Sequence, residues 1–118
     1  MATTDTTLRM VRNSDYTFSA TLYRGGDVID LTGASLKFTA KWTPRDTDTI
    51  FELTETSGIN VTNPTNGEIT VTIPATATAS LPYDEVRLAY DLYVLTLTSI
   101  TGYPLRGTLV VSPNITRP

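Results

Sequence analysis

The 118 residues suit one domain with a single hydrophobic core. The chain has no cysteine, which excludes disulfides and thiolate metal sites, and no histidine, which removes the commonest general base and the commonest metal ligand together. A formal net charge of −3 without a basic stripe argues against nucleic-acid binding, and no apolar run approaches membrane-spanning length.

The polar start, Met1 to Thr7, lacks a basic-then-apolar leader pattern, so synthesis and folding in a cytoplasm are expected. About a fifth of the residues are threonine. Threonine is β-branched and half polar, and it suits the solvent face of a strand.

The hydrophobic period is two along nearly the whole chain. Tyr16, Phe18, Ala20 and Leu22 alternate with Thr17, Ser19, Thr21 and Tyr23, the pattern of a half-buried strand. Gly25-Gly26-Asp27 ends it, Val28 to Leu31 is a short extended piece, and Thr32-Gly33 turns the chain. Leu36, Phe38, Ala40 and Trp42 alternate with Lys37, Thr39 and Lys41. Pro44 to Asp48 is a polar loop, and Ile50 to Leu53 is a short strand. Ile59 to Val61 and Ile69 to Ile73 flank the turn Asn63-Pro64-Thr65-Asn66-Gly67 and form a hairpin. Ala75 to Leu81 is the one place for a helical turn. Val86 to Leu97 is the longest predicted strand, with Leu88, Tyr90, Leu92 and Val94 facing the core. Its other face, Ala89, Tyr93, Leu95 and Leu97, is also partly apolar, which marks a central strand or one covered from outside the domain. Ser99 to Pro104 is a turn, Leu105 to Val111 the last strand, and 112–118 a polar tail.

This spacing predicts an all-β domain spanning 1–118, an antiparallel β-sandwich of about seven to eight strands. Asp30-Leu31-Thr32-Gly33-Ala34-Ser35-Leu36-Lys37-Phe38 resembles a signature of immunoglobulin-like modules in tailed-phage structural proteins, best known in the N-terminal domain of the baseplate upper protein family. Gly67 to Ile73, Tyr90-Asp91-Leu92, and Gly107 to Val111 with Ile115-Thr116-Arg117 resemble further segments of that module in the same order. The resemblance implies an immunoglobulin-like sandwich in a virion, as a tail or baseplate component or as capsid decoration, with other virion proteins and further copies of itself as partners. The family often fuses the module to a long C-terminal part, which this sequence lacks.

No catalytic, metal or cofactor site is expected. Asp46-Thr47-Asp48 lacks the glycine and closing glutamate of a calcium loop. The carboxylate pairs Glu52/Glu55 and Asp84/Glu85 come with no readable aromatic cleft, and no histidine or Ser-x-x-Lys motif activates a hydroxyl. Asn60-Val61-Thr62 and Asn114-Ile115-Thr116 match the glycosylation sequon, which carries no meaning for a phage protein.

The candidate interface residues are Tyr93, Leu95 and Leu97 on the doubly apolar strand, with Arg9, Arg12 and Arg117 on the polar arm 1–12 and the tail, which contacts outside the domain are expected to hold. Leu31, Gly33, Trp42 and Tyr90 are expected to be structural. Trp42 is read as core and Tyr90 as a core ring, with its hydroxyl either exposed or bonded to backbone. The alternative function is a carbohydrate- or host-surface-binding module using Trp42 and the tyrosines as a stacking platform.

Overall fold

Period-two alternation becomes burial alternation in the computed structural model, which describes residues 4–24, 26–97 and 101–115. In β6 (Ser35–Lys41) Leu36, Phe38 and Ala40 are buried, while Ser35 and Lys37 are exposed. In β9 (Glu68–Ile73) Ile69, Val71 and Ile73 are buried, and in β10 (Val86–Leu95) so are Val86, Leu88, Tyr90, Leu92 and Val94. Successive side chains leave a strand on opposite faces, so these residues form the two facing walls of one core.

The larger sheet runs β11 (Thr101–Ser112), β10, β6, β7 (Phe51–Thr54), with neighbours antiparallel. Its other edge is formed by β1 (Thr4–Asp5) and β2 (Leu8–Val11), both parallel to β11. Thr4 pairs with Leu105 and Leu8 with Leu109, so β1 and β2 keep one register and form a single strand interrupted at Thr6-Thr7. The smaller sheet has the order β3 (Tyr16–Thr21), β9, β8 (Ile59–Asn63), again antiparallel. A minor hairpin joins β4 (Tyr23–Arg24) to β5 (Asp27–Val28), and Ala75–Thr78 forms one helical turn.

Between the sheets Phe38 is the hub. Its ring stacks on Tyr90 at 5.1 Å between centroids and on Phe51 at 6.0 Å, and lies tilted to Phe18 at 6.0 Å. Burying such a cluster supplies the main driving force for the fold.

Three expectations are corrected. Residues 4–12, the described part of the expected arm 1–12, are not a free polar arm, because residues 4, 5 and 8–11 belong to the larger sheet and Leu8 and Met10 lie in its core. Contacts within the domain therefore hold them. The last strand begins at Thr101, where a turn was expected, and at 12 residues it exceeds β10. The ladder slips by one residue between Leu92 and Val94, opposite Gly102 to Leu105, and that irregularity accommodates Pro104 within a strand. Trp42 has the phase of a core residue, but β6 ends at Lys41 and the indole is 44% exposed.

The Asp30 to Ala34 turn shows why those residue types stand together. Asp30 Oδ1 accepts hydrogen bonds from the Thr32 amide (3.0 Å) and hydroxyl (2.7 Å), which holds its carboxyl below the ordinary carboxylate value. Leu31 is buried, and its N–H donates to Pro64 O. Gly33 has φ +66°, a conformation that glycine takes without strain, and the Ala34 N–H closes the turn on Leu31 O.

Candidate functional site

The outer face of the larger sheet is the surface on which the doubly apolar strand places its second row. Alternation along β10 turns Arg87, Ala89, Asp91, Tyr93 and Leu95 away from the core. Tyr93 lies opposite Lys37 of β6, and Asp91 lies between Thr39 of β6 and Arg106 of β11. Because the strand is central, neighbours on both sides half-bury Ala89, Asp91, Tyr93 and Leu95. Tyr93 and Tyr103 approach to 5.5 Å between ring centroids, and Tyr103 remains exposed. Leu97, just beyond the strand, is 73% exposed, and its methyls lie over Gly33, where a β-carbon would come within 2.8 Å of Leu97 Cδ1.

Charge is unevenly placed on this face. Five basic residues, Arg9, Lys37, Lys41, Arg87 and Arg106, stand with Asp91 and Glu52, although the whole chain is acidic. Lys37 pairs with Glu52 at 3.9 Å and Arg87 with Glu85 at 3.7 Å, both exposed. Burial pushes the Asp91 carboxyl above its ordinary value, and the positive charges of Lys41 and Arg106 partly oppose that. Val110 is fully buried although it faces outward, and its register neighbours are Arg87 and Arg9. The apolar row thus ends in tyrosines and leucine at one end and in arginines at the other.

Arg12 is corrected from interface to interior. It is 8% exposed. Its Nε donates to Leu81 O (2.7 Å), Nη1 to Asn114 Oδ1 (3.0 Å) and Nη2 to Ala79 O, and its guanidinium lies 4.1 Å from the centre of the Tyr83 ring. One side chain thereby ties the end of β2 to the helical turn and to the segment after β11. A basic residue in a polar stretch reads as surface, and nothing in the spacing announces three acceptors from distant parts of the chain. Arg9 is exposed at the sheet edge, and Arg117 lies outside the described residues.

Tyr90 has its ring in the core and donates its hydroxyl to Thr6 O at 2.6 Å. The acceptor stands at the interruption between β1 and β2, 84 residues away in sequence. Opposite Tyr90 in the ladder is Gly107, where a β-carbon would lie 2.1 Å from that same carbonyl oxygen. Glycine at 107 and the tyrosine hydroxyl together let the N-terminal strand bend inward.

The acidic motifs are engaged elsewhere. Asp46 closes its own loop, accepting from the Thr43 amide and hydroxyl. Glu55 accepts from the Leu36 amide at the start of β6 (3.0 Å). Among the described residues no three carboxylates converge.

No protein-family model and no curated protein matches the chain. Among solved structures, the NK cell receptor Nkp44, described as a triggering partner in natural cytotoxicity, superposes with a TM-score of 0.54 at 16% identity, over 93% of this chain and 100% of that one. The fold is immunoglobulin-like. At this identity the likeness carries the architecture alone.

Proposed function

We propose that this chain is a non-enzymatic structural protein of a phage virion, as tail or baseplate component or capsid decoration, that assembles through the outer face of its larger sheet. The observation that carries the assembly reading is the second apolar row on β10: Ala89, Tyr93 and Leu95, extended by Tyr103 and Leu97, face away from the core. Tyrosines and leucines rimmed by arginine and lysine have the composition of a protein interface. The virion context rests on the ordered resemblance of residues 30–38, 67–73, 90–92 and 107–117 to phage immunoglobulin-like modules.

The test is mass spectrometry of gradient-purified particles from the phage that encodes the chain, before and after Tyr93→Glu with Leu97→Glu. The chain should be present at fixed stoichiometry, and the double variant should be lost from particles while keeping its fold. Its absence from particles would refute the virion reading.

A second reading, a carbohydrate- or host-surface-binding module, is favoured by Trp42. It is partly exposed just past the end of β6, where a sugar ring can stack on the open part of the indole. Specific binding on a glycan array that disappears in a folded Trp42→Ala variant would establish this reading over assembly.

A further inference from the structure

At the outer edge of the smaller sheet β3 pairs with β9 and, among the described residues, with no further strand. Leu22 N–H donates to Gly67 O at 2.8 Å, continuing the register that runs from Tyr16–Ile73 to Thr21–Glu68. Antiparallel alternation then turns the even-numbered backbone groups toward β9, and those of Thr17, Ser19 and Thr21 toward the open edge. Exposed edges are normally blunted by charge or proline. The β3 sequence, Tyr-Thr-Phe-Ser-Ala-Thr, contains neither. Beneath this edge lies an apolar cleft of about 230 Å³, lined chiefly by Leu8, Phe18, Ala20, Leu22, Pro104 and Leu105. Tyr16, Phe18 and Ala20 point toward the core yet are only half-buried.

We propose that two copies of this chain pair their β3 edges antiparallel about a two-fold axis through Ser19, fusing two three-stranded sheets into one of six strands. The register follows from complementarity. On the outer face Ser19 meets its counterpart and Thr17 meets Thr21 of the second copy. These repeat the hydroxyl contacts that β3 already makes with β9, Thr17 to Thr72 and Ser19 to Thr70, both at 3.1 Å. On the inner face Phe18 meets Ala20 of the second copy, large against small, above the cleft. At each end Asp15 falls within one residue of the second copy's Arg24, and no like charges are opposed. Centring the pair on Thr17 would set Tyr16 against Phe18, and centring it on Thr21 would set Phe18 against Arg24. The Ser19 register forms about six main-chain hydrogen bonds and satisfies both faces.

This inference names the self-contact within the assembly reading and rests on that reading for its purpose alone. The two fail separately: a chain that pairs but is absent from particles refutes the virion, and a particle component that does not pair refutes this edge.

The chain has no cysteine, so Ser19→Cys adds a single thiol. Directly opposed residues of a hydrogen-bonded antiparallel pair have Cα atoms about 5.5 Å apart, within disulfide reach. Under mild oxidation Ser19→Cys should become a covalent dimer at least ~10 times faster than Thr47→Cys, an exposed thiol on a loop away from the edge. In sedimentation equilibrium the unmodified chain should dimerise, and Ser19→Lys, which opposes two ammonium groups, should weaken the dimer ~10-fold or more while its circular dichroism spectrum remains that of the folded domain. The Ser19 side chain is exposed on the outer face and its backbone groups face the open edge, so either change removes only the exposed hydroxyl contact with Thr70 and the fold tolerates both. A chain that remains monomeric to about 1 mM, a dimer that a folded Ser19→Lys leaves intact, or equal crosslinking of the two cysteine variants would overturn the proposal.

Discussion

Replacing Tyr90 by phenylalanine removes one oxygen and leaves the ring on Phe38. The lost hydroxyl donates to Thr6 O at 2.6 Å, where the N-terminal strand leaves the β11 ladder between β1 and β2. Loss of one such hydrogen bond, with its carbonyl left in a partly buried place, costs about 1–2 kcal/mol. For a chain of this length that corresponds to a fall of about 3–8 °C in melting temperature. The loss should be local as well as global, since amides of Leu8 to Val11 depend on the strand that Thr6 anchors. Gly107→Ala attacks the same joint from the other side, because its β-carbon would sit 2.1 Å from Thr6 O. It should cost more than about 2 kcal/mol. Since both variants release one strand, their effects in the double variant should sum to less than the separate losses. Urea unfolding and hydrogen exchange measure both quantities. A Tyr90→Phe protein within about 0.3 kcal/mol of the parent, with unchanged exchange at 8–11, would refute the idea that the hydroxyl secures the N-terminal strand.

Phe38→Ala removes a fully buried ring in contact with three other aromatics and should destabilise by about 3–5 kcal/mol in urea unfolding. Arg12→Ala should cost about 2–4 kcal/mol, because it strands the carbonyls of Leu81 and Ala79, whereas Arg9→Ala at the exposed edge should be near neutral. Two carboxylates should give opposite pH signatures in thermal melts. The Asp30 carboxyl titrates lower in the fold than in the unfolded chain, so its contribution is present above the unfolded value and is lost as pH falls through the folded one; Asp30→Asn should destabilise at pH 7 and have little effect near pH 2. The Asp91 carboxyl titrates higher in the fold, so its contribution is full below the unfolded value and declines as pH rises through the folded one; Asp91→Asn should stabilise at pH 7 and lose that advantage in acid.

Much of the sandwich is legible because its cause is local. Alternation in 36–40, 69–73 and 86–94 names the residues that share a face, and a face that buries phenylalanine, leucine and valine must meet another like it. Pairing is less legible. Leu8 and Met10 alternate as plainly as any core pair, yet they stand in a segment otherwise rich in threonine and charge, and their partner is β11, a hundred residues later. Trp42 shows the converse failure: its phase is right, but the chain leaves the sheet one residue too early for the indole to reach the core.

For the candidate site, the second apolar row on β10 is readable as composition, but Tyr103 is not, because the slip opposite Leu92 to Val94 decides where it points. Arg12 and Arg9 look alike in sequence, and parity separates them: Arg9 leaves β2 outward, while Arg12 follows the strand and turns inward onto three acceptors. The alternation that buries Leu8 and Met10 carries on to Arg12, so charge alone does not mark a surface. The edge at β3 follows the inverse rule. Absence of charge over Tyr16 to Thr21 is invisible as a motif, because any interior strand looks the same, and it becomes informative once topology leaves that strand at the end of a sheet. An uncharged central strand needs no further account, whereas at an uncharged edge with an apolar cleft beneath it the near-palindromic order Thr-Phe-Ser-Ala-Thr is the basis on which we propose a second copy as partner.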